Sequence, residues 1–185
     1  MAEEHEDPFR LRVLQALTDA IKGVTIDAGF KHDLGDYVDE GVTRERVFRG
    51  RDQFGFDDPR PMVSILEHPR ALDALLAPDG DSQTIGPWEI LIQGFVTDDP
   101  EHPTDPAHRL VADVIKALAI QAKRRAPDGS PDILGLGYQM PAVKDKGMKI
   151  GKPVCRPADG EISDVAFFFI TLTLDLVEDV AEPFA

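Results

Sequence analysis

The chain is poor in the residues that do chemistry on their own. It has one cysteine, Cys155, so an internal disulfide and a multi-cysteine zinc site are both excluded. Aromatic residues make up 7% of it, with a single tryptophan, Trp88. Basic side chains number 20 against 34 acidic ones, a formal charge of −14. Such a surface repels phosphate over most of its area and argues against a general nucleic-acid binder. No apolar run approaches the ~20 residues that span a bilayer. The opening MAEEHEDP is acidic where a secretion signal would be basic and then apolar, so no secretion signal is expected there.

What is present is enough for a folded core. Of the 185 residues 42% are hydrophobic, the proportion of an ordinary globular protein, and the length suits one domain. The expected organisation is an acidic tail over residues 1–7 and one domain over 8–185, with a long loop insertion at 126–160.

Asp7-Pro8 reads as a helix start, with the carboxylate as N-cap and proline in the first turn. Leu11, Leu14, Leu17, Ile21 and Val24 then fall at helical spacing, and Gly23 supplies a left-handed stop. Segments 24–30 and 42–49 read as extended; the second is charged enough to be an edge strand. Residues 50–61 read as a loop, Met62–Glu67 and Trp88–Val96 as strands, and 69–76 as a short helix or a hairpin arm. Trp88, Ile90 and Ile92 would share one face of their strand, with Leu91 and Phe95 on the other. Asp105-Pro106 repeats the helix start, and Leu110, Val111, Val114, Ile115 and Leu118 form an apolar stripe ended by Lys123, Arg124 and Arg125. In the last strand, Val165–Val177, alternate residues from Ala166 to Leu176 are apolar. The expected fold class is α+β: a mainly antiparallel mixed sheet with two amphipathic helices packed on one face, and long loops.

Candidate sites are few. Asp98, Asp99, His102, Asp105 and His108 are ligand-type residues close in sequence, but two prolines between the histidines deny them one helical face. A turn followed by a helix cap explains the same residues, and a small metal-dependent hydrolase is the remote reading. Gly135-Leu136-Gly137 lacks the third glycine of a nucleotide loop and reads as a turn. Cys155 lies between prolines, with Lys152 and Arg156 near and no histidine close, and reads as inert. No catalytic residue, cofactor site or metal site is assigned, and the protein is not expected to be an enzyme. Cations do cluster, at Arg44, Arg46, Arg49 and Arg51 and at Lys144, Lys146, Lys149 and Lys152. On so acidic a protein, cationic patches can meet acidic patches of neighbouring copies and set their register. Arg44, Arg46, Arg49, Arg51, Lys144, Lys146 and Lys149 are therefore the expected subunit or partner interface.

Five segments in order carry a resemblance: DPFRLRVLQALTDAI (7–21), VFRGRDQFGFDDPRPMVSILE (47–67), WEILIQGFV (88–96), TDPAHRLVADVIKALA (104–119) and FFFITLTLDLVED (167–179). In order and texture the chain resembles the tail terminator, or tail completion, proteins of long-tailed bacteriophages. The resemblance implies a structural virion protein with no reaction and no cofactor. It implies a homo-oligomeric ring of six copies that caps the tail tube, touching the major tail tube protein below and a neck or head-completion protein above. It places the protein at the head–tail joint of the virion, assembled in the host bacterial cytoplasm, with no membrane partner. Another neck, connector or minor tail protein of the same particle is the alternative. Six domains of roughly 16 Å radius of gyration would enclose a hole of about 40 Å, through which DNA could pass without specific binding.

Overall fold

The structure, a computed structural model, describes residues 6–55, 57–67, 83–137, 147–159, 165–179 and 181–184, with the backbone alone at 83–86. The sequence-based expectation for 69–76, and residues Lys144 and Lys146, lie outside the described residues.

Helix α1 spans Phe9–Lys22. Phe9, Val13, Leu17 and Ile21, each four residues apart, are its buried line. Leu17 lies on the line the sequence pointed to, whereas Leu14 is only partly buried beside it. The expected Asp7 cap does not form. Pro8 is the N-cap residue, and the Asp7 carboxylate instead accepts from Gln15 Nε2 at 2.7 Å. The Phe9 amide, unable to bond within the helix, donates to the carbonyl of Pro183 at 2.9 Å. Gly23 is in the right-handed region at φ −68°, so the expected left-handed stop is absent. The chain then turns through residues 26–29 where an extended segment was expected.

The expected strand over 42–49 divides into two. β1 (Tyr37–Asp39) and β2 (Val42–Arg44) pair antiparallel as a hairpin, while β3 (Val47–Arg49) runs parallel to β4 (Met62–Glu67) in a different sheet. The hairpin turn places Glu40 at φ 48° and Gly41 at φ 82°, both left-handed. β5 (Gln83–Val96) and β8 (Ala166–Asp179) pair antiparallel over fourteen positions. Between them in sequence come α2 (Asp105–Ala122), a 3-10 turn (Ile133–Gly135), β6 (Met148–Ile150) and β7 (Val154–Arg156). The six-stranded sheet has the order β3-β4-β5-β8-β6, with β7 also paired to β8.

The pairing is antiparallel except for β3 with β4, and both helices cover one face. This is the expected α+β class. Ile90, Ile92, Phe168, Ile170, Leu172 and Leu174 point into the core shared with α1 and α2. Phe168 is fully buried and its ring lies over Gly94, its direct cross-strand partner. A smaller cluster of Met62, Phe95 and Phe167 forms on the opposite face, with Phe48, Phe54, Val165 and Phe169 packed around it. Among the described residues no helix is long and apolar enough to cross a membrane.

Candidate assembly surface

The four arginines of segment 44–51 do not form one free patch, because each lies on a different element. Arg46, between β2 and β3, stacks 4.3 Å from the Tyr37 ring centre, and its Nη1 donates to the carbonyls of Arg60 (3.2 Å) and Pro61 (3.4 Å). Arg51 lies over the rings of Phe48 and Phe54 at 4.7 and 5.1 Å. Its Nη2 donates to Asp58 at 2.6 Å and its Nε to the Gln53 carbonyl at 3.2 Å. Arg49 Nη1 reaches back to α1 and donates to Thr18 Oγ1 at 3.1 Å. Arg44, on the exposed hairpin, stands 3.5 Å from Asp39. Arg46 and Arg51 thus hold their own loops. Glu45, Val47, Phe48, Arg49 and Arg51 line a cleft of about 230 Å³ at this edge.

The base of the hairpin is clamped by a lysine from the last turn of α1. Lys22 Nζ sits 2.9 Å from Asp36 and 2.8 Å from Glu45, which flank β1 and β2. Partial burial opposes the charge, but the hydrogen bonds that the ammonium donates to the two carboxylates, with their charge, outweigh it and hold the ammonium above its usual value. Every residue from Val38 to Glu45 is exposed. Val38 keeps 73% of its surface and Val42 55%, high for apolar side chains.

The lysine segment lies at the other edge of the sheet. Lys149 on β6 pairs with Asp175 of β8 at 3.0 Å. Lys152 and Arg156 are exposed and have no ion pair among the described residues. Cys155, between them, turns inward against the core, and burial pushes its thiol up from the ordinary value, opposite to what a nucleophile needs.

The ligand-type residues at 98–108 resolve into a turn and the start of α2. Asp99 accepts from the amides of Glu101 (2.8 Å) and His102 (3.1 Å), which hold its carboxyl below the usual range. Asp105 pairs with Arg109 at 3.2 Å one helical turn on, and His102 and His108 are both exposed. Among the described residues no three His, Cys, Asp or Glu side chains converge as metal ligands would. Residues 133–137 form a turn that supports the end of α2, with Asp132 accepting from Gly137 N and pairing with Arg124 at 3.0 Å.

One polar junction went unread in the sequence. Asp113, buried on the inner face of α2, accepts from the amides of Lys31 (2.9 Å) and His32 (3.0 Å) and meets His32 Nδ1 at 2.8 Å. Lys116, further along α2, donates to the Gly29 carbonyl at 3.0 Å and lies over the Phe30 ring. Together they fix the loop that leads into the hairpin. The available signal was a carboxylate three residues after Leu110, inside an apolar stripe. No family model matches the chain, and no curated protein matches it.

Proposed function

We propose that the protein is a ring-forming structural subunit of a tailed-phage particle, a tail terminator that caps the tail tube and joins it to the neck. The observation that carries this reading is the second face of the sheet. Both helices cover one face. On the other, Leu66, Leu91 and Thr171 stand side by side in register, with Gln93 and Phe169 in the next row. These residues are half-buried, and the aromatic cluster under residues 48–54 occupies one end of the face. A broad mixed surface of this kind suits packing against other subunits of a particle. The five segments behind the resemblance cover β3 and β4 and most of both helices, β5 and β8, so they fall on the framework of the fold.

Passage of DNA without specific binding is consistent with the charge. Arg46 and Arg51 donate to carbonyls and a carboxylate of their own chain, and a net charge of −14 repels phosphate over most of the surface. The proposed partners are a second copy of the chain, the tail tube protein and a neck protein, and the proposed location is the head–tail joint of the virion. Native mass spectrometry over a range of concentrations, with negative-stain images of the same samples, tests the reading. Rings of six copies are the expected result. A chain that stays monomeric or dimeric at every concentration would overturn it.

A further inference from the structure

The tip of the β1–β2 hairpin and the β6–β7 edge of the sheet differ in charge. In the hairpin and its base Asp36 and Glu45 are held by Lys22 and Asp39 stands near Arg44, which leaves Glu40 at the turn as the acid with no ion pair among the described residues. At the opposite edge Lys149 pairs with Asp175, while Lys152 and Arg156 have no ion pair among the described residues. A positive edge on a protein of charge −14 is a local inversion of the prevailing field.

The shapes at the two edges also differ. An isolated two-stranded hairpin is marginal in water unless something supports it. Among the described residues support comes mainly to the base, from the Lys22 clamp and from Arg46 stacked on Tyr37, with Arg44 standing 3.5 Å from Asp39 further out. Beyond Tyr37 the hairpin is exposed, with Val38 and Val42 bare beside Asp39 and Glu40 at its turn. Holding the base limits the directions in which the tip can point, which favours docking at one site. The receiving edge is matched in kind: Lys152 and Arg156, exposed and without an ion pair among the described residues, stand on either side of Val154, itself 36% exposed.

We propose that the acidic tip of the β1–β2 hairpin of one copy docks on the Lys152–Arg156 edge of the next, with Val38 and Val42 packing near Val154. The inference rests on the ring reading above and specifies its joint. The contact joins two different surfaces, so repeating it passes from copy to copy and closes into a ring when the rotation allows. It also departs from the interface expected from sequence: Lys152 and Arg156, which that expectation did not include, carry the joint, whereas Arg46 and Arg51, which it did, build the arm and its neighbouring loop.

Charge exchange tests the joint. The hairpin variant Asp39→Lys/Glu40→Lys and the edge variant Lys152→Glu/Arg156→Glu each set like charges together, and each should raise the concentration for half-assembly by about tenfold or more. A chain carrying all four changes has its charges exchanged and should assemble within about threefold of the parent. Mixing the two separate variants in equal amounts should restore rings in which they alternate, with even copy numbers by native mass spectrometry. All four positions are exposed, so circular dichroism should show every variant folded. Rings that form equally well from both separate variants would overturn the joint and leave the ring reading standing. Loss of assembly in the separate variants without rescue in the fourfold variant or the mixture would also overturn the joint. A parent chain that never leaves the monomer would overturn both.

Discussion

Replacing Gly94 by alanine adds one methyl group at the centre of the sheet and should destabilise the fold although alanine ordinarily suits a strand better than glycine. The new Cβ would lie 2.5 Å from Cζ and 2.9 Å from Cδ1 of Phe168, and closer still to Cε1. Real Cβ atoms do not approach a ring that closely, so Phe168 must swing away or the two strands must part. Phe168 is fully buried, with Ile92 and Ile170 beside it, and has no solvent to move into. Overpacking of this sort costs about 1–3 kcal/mol. Against it stands the usual gain of about 0.5–1 kcal/mol when a strand glycine becomes alanine. A net loss of about 1–2 kcal/mol is expected, which moves a urea midpoint down by roughly 0.5–1 M. Shrinking the ring should make room. Phe168→Leu alone leaves a cavity at a cost of about 1–2 kcal/mol, but in the Gly94→Ala background it should cost at least 1 kcal/mol less. Equilibrium unfolding of the four chains at one protein concentration gives the cycle. A Gly94→Ala chain as stable as its parent, or strictly additive effects, would refute the packing argument.

Four further outcomes can be checked directly. Asp113→Ala should leave the Lys31 and His32 amides without their acceptor and loosen the 24–36 loop, at a cost of about 2–3 kcal/mol, read as faster amide exchange confined to that loop. Gly151→Ala should strip β6 and β7 from β8, because its Cβ would meet the Thr171 carbonyl oxygen at 2.8 Å; exchange at the amides of residues 148–156 reports it. Lys22 should make folding weaken in strong alkali: its ammonium titrates above the unfolded value of 10.5, so its contribution is complete below that value and fades as pH rises through the higher folded one. Lys22→Met should remove that alkaline loss in urea titrations between pH 9 and pH 12, where the unfolded and folded forms differ in protonation. Cys155 should react with iodoacetamide slowly in the native chain and quickly in urea, since burial keeps the thiol protonated; mass spectrometry counts the adduct.

What the sequence made legible was whatever rested on neighbours a few residues apart. The spacing of Leu110, Val114 and Leu118 located α2, and the alternation from Ala166 to Leu176 located β8 and the face it buries. Met62–Glu67 came out with its observed bounds. The misreadings share a different cause. Asp7 is a good cap by type, yet the amide it would serve takes its oxygen from Pro183, which no local pattern can announce. The run 42–49 reads as one charged extended segment, but Lys22 ties Glu45 to α1 where the strand divides. Gly23 ends the helix without leaving the right-handed region, so its identity suggested more than its geometry required. The arginine cluster shows the same limit for the surface: four cations in eight residues look like one patch until the rings and carbonyls that claim two of them are placed.

The strand order sets a timetable for synthesis. β8 sits between β5 on one side and β6 and β7 on the other, yet of the described elements it is made last. Until residues 166–179 emerge, β5 lacks its principal partner and β6 and β7 have no strand to pair with. Folding therefore waits on contacts between distant parts of the chain, a slow kind of closure. A chain truncated before residue 166 would carry both α1 and the hairpin but could not build the Lys152–Arg156 edge. Such a fragment would lack the surface that receives an arm, so under the joint proposed above it could not pass the contact on to a further copy.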